Sequence, residues 1–392
     1  MTSPMSTYES ELTSPIQENL LDCIVVGSGP AGGSAAYHLA KRGRSVLVID
    51  RATLPRHKVC SGGVSPAVGA WFDFDFSPVI SRTVKQIRYT WKVSDPVDAT
   101  LNTTEPMWMV NRSDFDYHII QQAQALGAQV QTGTTVTSIE FKGDFWTVNT
   151  DRGMFQAKYL VAADGAKGPM AQWLGFGDRI VRTGMVMEVP SQDIAPTAQF
   201  DFGIIKNGFI WSLPKANGYS IGTGTFRGKD NEDLQAALLQ YAKLKDLNTS
   251  QATFHSHPMC LWTEDQQLHT RNALLAGETA GLSDPFTAEG IRPALFSGMK
   301  AAIAIDDTLS GSSAALANYT QVIQAEWGQD MVWAQKLANI FYRVPGIGYK
   351  VGVKRQSATD RLCKIMCGEL KYADVATRAL KKLSGGLIPG LG

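Results

Sequence analysis

Residues 20–51 read LLDCIVVGSGPAGGSAAYHLAKRGRSVLVIDR. An apolar strand, Cys23 to Val26, runs into the turn Gly27-Ser28-Gly29-Pro30-Ala31-Gly32; a helical stretch follows to Arg42, and a second strand, Ser45 to Ile49, ends in Asp50. This order of elements predicts a βαβ unit that holds a dinucleotide. Gly27 permits the tight turn, Gly29 lets the backbone approach a pyrophosphate, and Gly32 allows the helix to pack closely on the strand. The amides around Pro30 and Ala31, at the positive end of the helix dipole, then face the phosphates. Asp50 falls where a carboxylate accepts hydrogen bonds from an adenosine ribose, with Arg51 beside it as a further cofactor contact. An acid at that position favours FAD or NAD over NADP.

The bulk composition reads as that of a soluble globular protein. The chain has 392 residues, 44% of them hydrophobic, enough for a large core and about two or three domains. A net charge of +1 argues against a nucleic-acid partner, which needs a concentrated basic surface. The charge is uneven: residues 341–392 carry 10 Lys/Arg against 3 Asp/Glu. That basic end is a candidate for peripheral contact with an anionic membrane. Five cysteines without regular spacing point to a reducing, cytoplasmic setting rather than a disulfide framework. Cys363 and Cys367 read as buried thiols on one helix face. Residues 1–20, rich in Ser, Thr, Pro and Glu, predict a disordered tail without signal-peptide character. No apolar run approaches the roughly 20 residues that cross a bilayer.

A second anchor lies at 270–305, TRNALLAGETAGLSDPFTAEGIRPALFSGMKAAIAI, a short strand, a Gly/Pro-rich crossing and a helix from about residue 289. GETAGLSDPFTAEGI resembles the flavin-end motif of the geranylgeranyl reductase family, within the p-hydroxybenzoate hydroxylase-like flavoproteins. The resemblance implies FAD as cofactor. It also implies that Gly277 and Glu278 meet the ribityl chain, that Pro285 packs near the reactive face, and that the amides from Ala288 through Gly290 to Ile291 face the pyrimidine end of the ring. Two positions depart from the family: Glu278 stands for its usual Asp, and Ala288 for its usual Gly. A third anchor, YLVAADGAKGPM at 159–170, resembles the family's strand and DG turn, which puts Asp164 and Gly165 near the pyrophosphate. In VNRSDFDYHIIQQAQALGAQV, 110–130, Arg112 matches the arginine that approaches the cofactor.

Residues 199–226, QFDFGIIKNGFIWSLPKANGYSIGTGTF, alternate as antiparallel strands do. Phe209-x-Trp211-x-Leu213-Pro214, followed by Gly222-x-Gly224, resembles the family's YxWxFP…GxG signature. Positions 209, 211 and 213 share one face of a strand and would wall a hydrocarbon site. In LPRHKVCSGG, 54–63, Lys58, Cys60, Gly62 and Gly63 match a family segment that passes close to the flavin. The implied fold is α/β, α+β overall: a Rossmann-like FAD-binding domain (21–68, 105–178, 262–310), an inserted antiparallel-sheet substrate domain (69–104, 179–261), and a helical region (311–392). Within the last, Met331, Val332, Trp333, Leu337, Ile340 and Phe341 are expected to form one apolar face.

The implied activity is reduction of prenyl carbon–carbon double bonds by hydride transfer from reduced FAD, with Cys60, His57 or water as proton donor. NAD(P)H or reduced ferredoxin would be the electron source and an isoprenoid lipid the substrate. A monooxygenase or halogenase of an aromatic substrate is the main alternative, since halogenases carry a similar Trp-x-Trp element; a halogenase, however, needs a lysine for its hypohalous intermediate in the turn after the first unit, a region that here reads LPRHKVCSGG. A non-catalytic flavin- or lipid-binding homologue is the other. His255 and His257, two apart in FHSHPMCLW, lack a third ligand, so no metal site is expected.

Overall fold

Strand Leu21–Val26 is apolar from Cys23 onward and buried on both faces, as a central parallel strand must be. In the computed structural model, which describes residues 20–228 and 233–376, it sits inside an eight-stranded sheet. The order is His269–Thr270, Ala273–Leu275, Gly153–Ala162, Leu21–Val26, Val46–Ile49, Gln129–Gln131, with Phe145–Thr150 and Val136–Lys142 extending from Gly153–Ala162. Every pair from Ala273–Leu275 to Gln129–Gln131 is parallel. The helix Pro30–Lys41 makes the crossover that a parallel pair requires. Register then does something useful: Val26 lies beside Ala162, and Ala162 beside Leu275. Three turns, at Gly27, Asp164 and Gly277, therefore leave one edge of the sheet side by side.

Two helices cover that edge from one face. Pro30–Lys41 and Ile291–Leu309 approach so closely that a Cβ on Gly298 would lie 2.1 Å from the Ala31 carbonyl oxygen. The Ser34 hydroxyl donates to the Leu295 carbonyl at 2.7 Å, and the Gly277 amide to the Ser297 hydroxyl at 2.9 Å. Small residues in PAGGSAAY make the contact possible.

A second sheet has seven strands in the order Thr253–Cys260, Val181–Pro190, Gly218–Thr225, Gly208–Lys215, Thr197–Phe202, Gln86–Trp91, Ser94–Thr100. It departs from the expected all-antiparallel sheet at one seam, because Thr197–Phe202 runs parallel to Gln86–Trp91. These strands come from distant chain segments, so no hairpin dictates their direction. A three-stranded sheet, Gly63–Val64, Met107–Val110 and Ile80–Val84, joins the two larger ones. In the seven-stranded sheet Phe209 faces Gly224 across the strands and Trp211 faces Gly222. A Cβ on Gly222 would lie 2.2 Å from the Trp211 ring, so the GxG element is the space its aromatic partners need.

The helix Ala315–Ile323 and the start of Gln329–Arg343 pack on the first sheet's core, and the helical chain from Ala338 onward closes over this second sheet. Phe341 packs on Phe202 with ring centroids 5.2 Å apart, and Tyr349 lies 6.0 Å from the same ring. Both Cys363 and Cys367 are buried, and burial pushes each thiol up to about 11. The expected apolar face needs one correction. Met331 and Phe341 point inward with Ala334, Ala338 and Tyr342, whereas Ile340 is 67% exposed. One residue is a rotation of about 100° on a helix, which carries Ile340 away from the stripe that Phe341 ends. The N-terminal tail and the basic segment from 377 onward lie outside the described residues.

Gly298→Ala is expected to push the two helices apart and to lower stability by about 1–3 kcal/mol, the usual cost of overpacking. Urea denaturation of the protein would measure it.

Candidate active site

The three aligned turns open into a cavity of about 850 Å³. At one end Gly27 has φ +104°, and a Cβ there would sit 2.3 Å from the Ala163 carbonyl oxygen. Only glycine fits. Gly29 is different: a Cβ would meet only the Arg56 guanidinium, at 3.7 Å, so its backbone is open toward the cavity beside a cation. Buried Asp50 accepts from the Ser28 amide at 2.7 Å, from the Ser28 hydroxyl and from the Ala52 amide at 2.8 Å. Its carboxylate thus fixes the glycine turn against the second strand while lining the cavity.

Asp116 clamps two guanidinium groups on the cavity wall. Arg112 donates through Nε and Nη2 at 2.7 and 2.8 Å, and Arg56 through Nη1 at 3.1 Å. Burial works against the charge on Arg112, yet Asp116 holds its pKa above the ordinary value. Both guanidinium groups line the same cavity as Gly29.

At the other end, residues 284–289 fold around the Asp284 carboxylate, which accepts from the Phe286 and Thr287 amides at 2.7 and 3.2 Å and from the Tyr372 hydroxyl at 2.7 Å. The loop brings Ala288 to φ +59°, a left-handed conformation natural to glycine. Gly290 and Ile291 then begin the helix at the cavity edge. Glu278 meets His257, whose Nε2 lies 3.1 and 3.2 Å from its two oxygens. A Cβ on Gly165 would be 3.9 Å from Glu278 Oε2 and 4.0 Å from Lys58 Nζ, so acid and amine converge there. Burial raises the Glu278 pKa, but His257, Lys58 and Arg112 outweigh it and keep the carboxyl below its usual range. Burial pushes the Lys58 ammonium down, with Glu278 opposing.

Between these ends lies the segment 57–63. Cys60 Sγ accepts from the Gly62 amide at 3.4 Å, and the His57 ring lies 4.9 Å from that of His255. Half-buried Lys215 donates to the Val110 carbonyl at 2.9 Å, and a Cβ on Gly62 would lie 2.3 Å from its Nζ. Phe209, Trp211 and Leu213 form the facing wall with Phe200, Tyr89 and Phe286.

Of the residues singled out in the sequence, Gly27, Gly29, Pro30, Ala31, Asp50, Arg51, His57, Lys58, Cys60, Gly63, Arg112, Asp164, Gly165, Glu278, Ala288, Gly290, Ile291, Phe209, Trp211 and Leu213 line this one cavity. Gly32, Gly62, Gly277, Pro285, Pro214, Gly222 and Gly224 stand behind it, supporting its walls. The Asp164 carboxylate turns away to accept from the Met170 amide at 2.9 Å and the Thr279 hydroxyl at 3.0 Å. Three residues were missed. Arg56 matches no motif position; His257 suggests in sequence only a metal ligand; Lys215 shares the strand face of 209, 211 and 213 by the same period of two. Among the described residues no cluster of His, Cys, Asp or Glu could hold a metal.

A Rossmann-type sheet whose glycine turn, second-strand acid and cationic clamp share a cavity with an apolar sheet defines a dinucleotide-binding flavoprotein fold. The chain belongs to the FAD binding domain family, which it matches over residues 21–321. It is 30% identical to an uncharacterised protein of Methanosarcina barkeri over 322 residues, 81% of each chain. It is 27% identical over 304 residues to digeranylgeranylglycerophospholipid reductase 2 of Methanosphaera stadtmanae, covering 72% of this chain and 77% of that one. Its fold matches a geranylgeranyl bacteriochlorophyll reductase-like protein of Thermoplasma acidophilum, with a TM-score of 0.73, 20% identity and coverage of 89% and 91%. A flavin-dependent brominase shares the fold too, with a TM-score of 0.70, 19% identity and coverage of 94% and 100%. The resemblance to geranylgeranyl reductases read from the motifs therefore holds.

Two outcomes follow from the flavin end. Ala288→Gly should raise stability by about 1 kcal/mol, because the left-handed conformation no longer opposes a Cβ; chemical denaturation would show it. For Glu278, a folded pKa below the ordinary glutamate value means the stabilising contribution is complete above that ordinary value and is lost as pH falls through the folded one. The melting-temperature gap between parent and Glu278→Gln should be widest near neutrality and close in acid.

Proposed function

We propose that this protein is an FAD-dependent reductase of isoprenoid carbon–carbon double bonds. The observation that carries the reading is the single cavity of about 850 Å³ in which the cofactor turns and the Phe209–Trp211–Leu213 wall face each other. A hydrocarbon chain offers no polar handle and binds through apolar area, at about 25 cal/mol per Å², so a greasy wall opposite the flavin end suits it. The named relatives among the digeranylgeranylglycerophospholipid reductases support the same substrate class.

The donors present fit FAD. The open backbone at Gly29, with the Arg56 and Arg112 guanidinium groups clamped beside it, suits a pyrophosphate. Asp50 keeps acceptor capacity for a ribose, since each carboxylate oxygen offers two lone pairs. The first amides of the helix from Ile291 would stabilise negative charge at the pyrimidine end of a flavin. Reduced FAD, when bound, supplies the hydride that one alkene carbon takes, and NAD(P)H or reduced ferredoxin restores the two electrons. The chain supplies position and proton. Phe209, Trp211 and Leu213 hold the alkene and exclude water, while Cys60 or His57 gives a proton to the second carbon and regains it from solvent. Lys58 and Glu278 hold compensating charges beside the ring site, so the cavity keeps its polarity confined to one side.

One observation favours a second reading, halogenation or hydroxylation of an aromatic substrate: Lys58 stands in the cavity in the turn after the first unit, and the fold is shared with a brominase.

The deciding experiment mixes anaerobically reduced, FAD-loaded protein with a prenyl lipid and follows flavin oxidation in a single turnover. Oxidation with a gain of two hydrogens per double bond is expected. Cys60→Ala or His57→Gln should slow it about a hundredfold, the scale of a lost general acid. Equal rates in both variants would rule out either side chain as donor. No oxidation by prenyl lipid, with oxygen-dependent halogenated or hydroxylated product instead, would establish the second reading.

A further inference from the structure

The helices that close the substrate sheet have an outer face that nothing covers among the described residues. Along residues 340–351, Ile340 is 67% exposed, Val344 44%, Ile347 63% and Val351 51%. These are four branched aliphatic side chains within twelve residues, on the last turn of the helix Gln329–Arg343, at the break at Val344 and on the short helical turns Pro345–Gly348 and Tyr349–Val353 that follow it. The inner residues of the same stretch, Phe341, Tyr342, Tyr349 and Val353, are buried against the sheet that carries Phe202 and Phe209. The segment is thus apolar on both sides, and folding buries only one.

Charge identifies what the other side meets. From Met331 to Arg355 the sequence contains Lys336, Arg343, Lys350, Lys354 and Arg355 and no Asp or Glu. All five are exposed. Lys354 pairs with Asp95 at 2.5 Å and Lys336 rests over the Trp333 ring, but Arg343, Lys350 and Arg355 have no carboxylate within salt-bridge distance among the described residues. Exposed aliphatics ringed by unpaired cations match a bilayer surface that carries anionic lipid: the aliphatics enter the acyl boundary and the cations meet the headgroups. A second copy of the chain fits poorly, because the same basic face would oppose itself. The chain's own last residues fit poorly too, since Arg378, Lys381 and Lys382 bring more positive charge.

We infer that Ile340, Val344, Ile347 and Val351, with Arg343, Lys350 and Arg355, form a docking face for an anionic membrane surface. No covalent step is involved, and the inference stands whether or not the reductase reading does.

The test is flotation of the full-length, FAD-loaded protein with vesicles of phosphatidylcholine, alone or with roughly one part in three phosphatidylglycerol, and no substrate. Binding to the anionic vesicles is expected, weakened by high salt. Ile340→Glu combined with Ile347→Glu should reduce it about tenfold or more, with unchanged flavin content and melting temperature, since neither side chain is buried. Arg343→Gln combined with Lys350→Gln should flatten the salt dependence. Equal flotation of the double glutamate variant and the parent would overturn the inference. So would a parent that dimerises through this face, seen as a dimer in sedimentation that the glutamate variant abolishes while vesicle binding stays absent. A third chain ending at residue 376 separates the tail: loss of binding on truncation, with the glutamate variant still binding, would assign the contact to the tail and sink the proposal.

Discussion

The contact between the helices Pro30–Lys41 and Ile291–Leu309 is the constraint on which the rest depends. Gly298 lies against the backbone of Ala31, and Ser34 reaches across to Leu295. Residues separated by more than 250 positions are thereby held at backbone distance. Because Val26, Ala162 and Leu275 lie in register, the three turns that follow them are fixed relative to one another by sheet hydrogen bonds. The helix contact sets the remaining coordinate, the gap between the glycine turn and the loop at 284–291. A cofactor that spans both ends can be held only if this gap is constant, and a backbone contact with no room for a methyl group keeps it so.

Charge in the cavity is arranged with the same rigidity. Isolated buried cations would be expensive; Arg56 and Arg112 pair with Asp116 and Lys215 donates to the Val110 carbonyl, while Lys58 is offset by the charge of Glu278 across the same end of the cavity. Glu278 has an added structural role, because its partner His257 belongs to the seven-stranded sheet. The pair ties the cofactor end to the substrate wall. The longer side chain at 278, a departure from the family's aspartate, supplies the reach for that tie.

What the sequence revealed and what it hid follow one rule. Features set by a local repeat were legible: the glycine turn, the acid ending the second strand, the period of two at 209, 211 and 213, the helical spacing of Cys363 and Cys367. Features set by pairing between remote segments were not. His257 and Glu278 stand 21 residues apart with no motif linking them, and the parallel seam between Thr197–Phe202 and Gln86–Trp91 joins strands that no turn connects. Lys215 is legible in principle, since the period of two extends to it, but it is a charged residue at the end of an otherwise apolar stripe. Ile340 failed for a different reason: helical spacing identifies apolar positions without saying which of two apolar faces the core takes.

That last ambiguity has a physical use. A prenyl chain that left a bilayer for water before entering a protein cavity would expose its hydrocarbon at about 0.8 kcal/mol per methylene. For a chain of ten or more such groups the barrier would dominate any chemistry that followed. Under the reductase and docking proposals, a helical cover apolar on both faces would remove the aqueous step, because one face packs behind the cavity-lining Phe202 and the other would sit where the lipid already is. An inward stripe on this cover would keep the fold intact without an outward one, so Ile340, Val344, Ile347 and Val351 serve nothing in the isolated molecule. Their exposure costs solubility, and a hydrocarbon substrate held in a membrane is the condition under which that cost is offset.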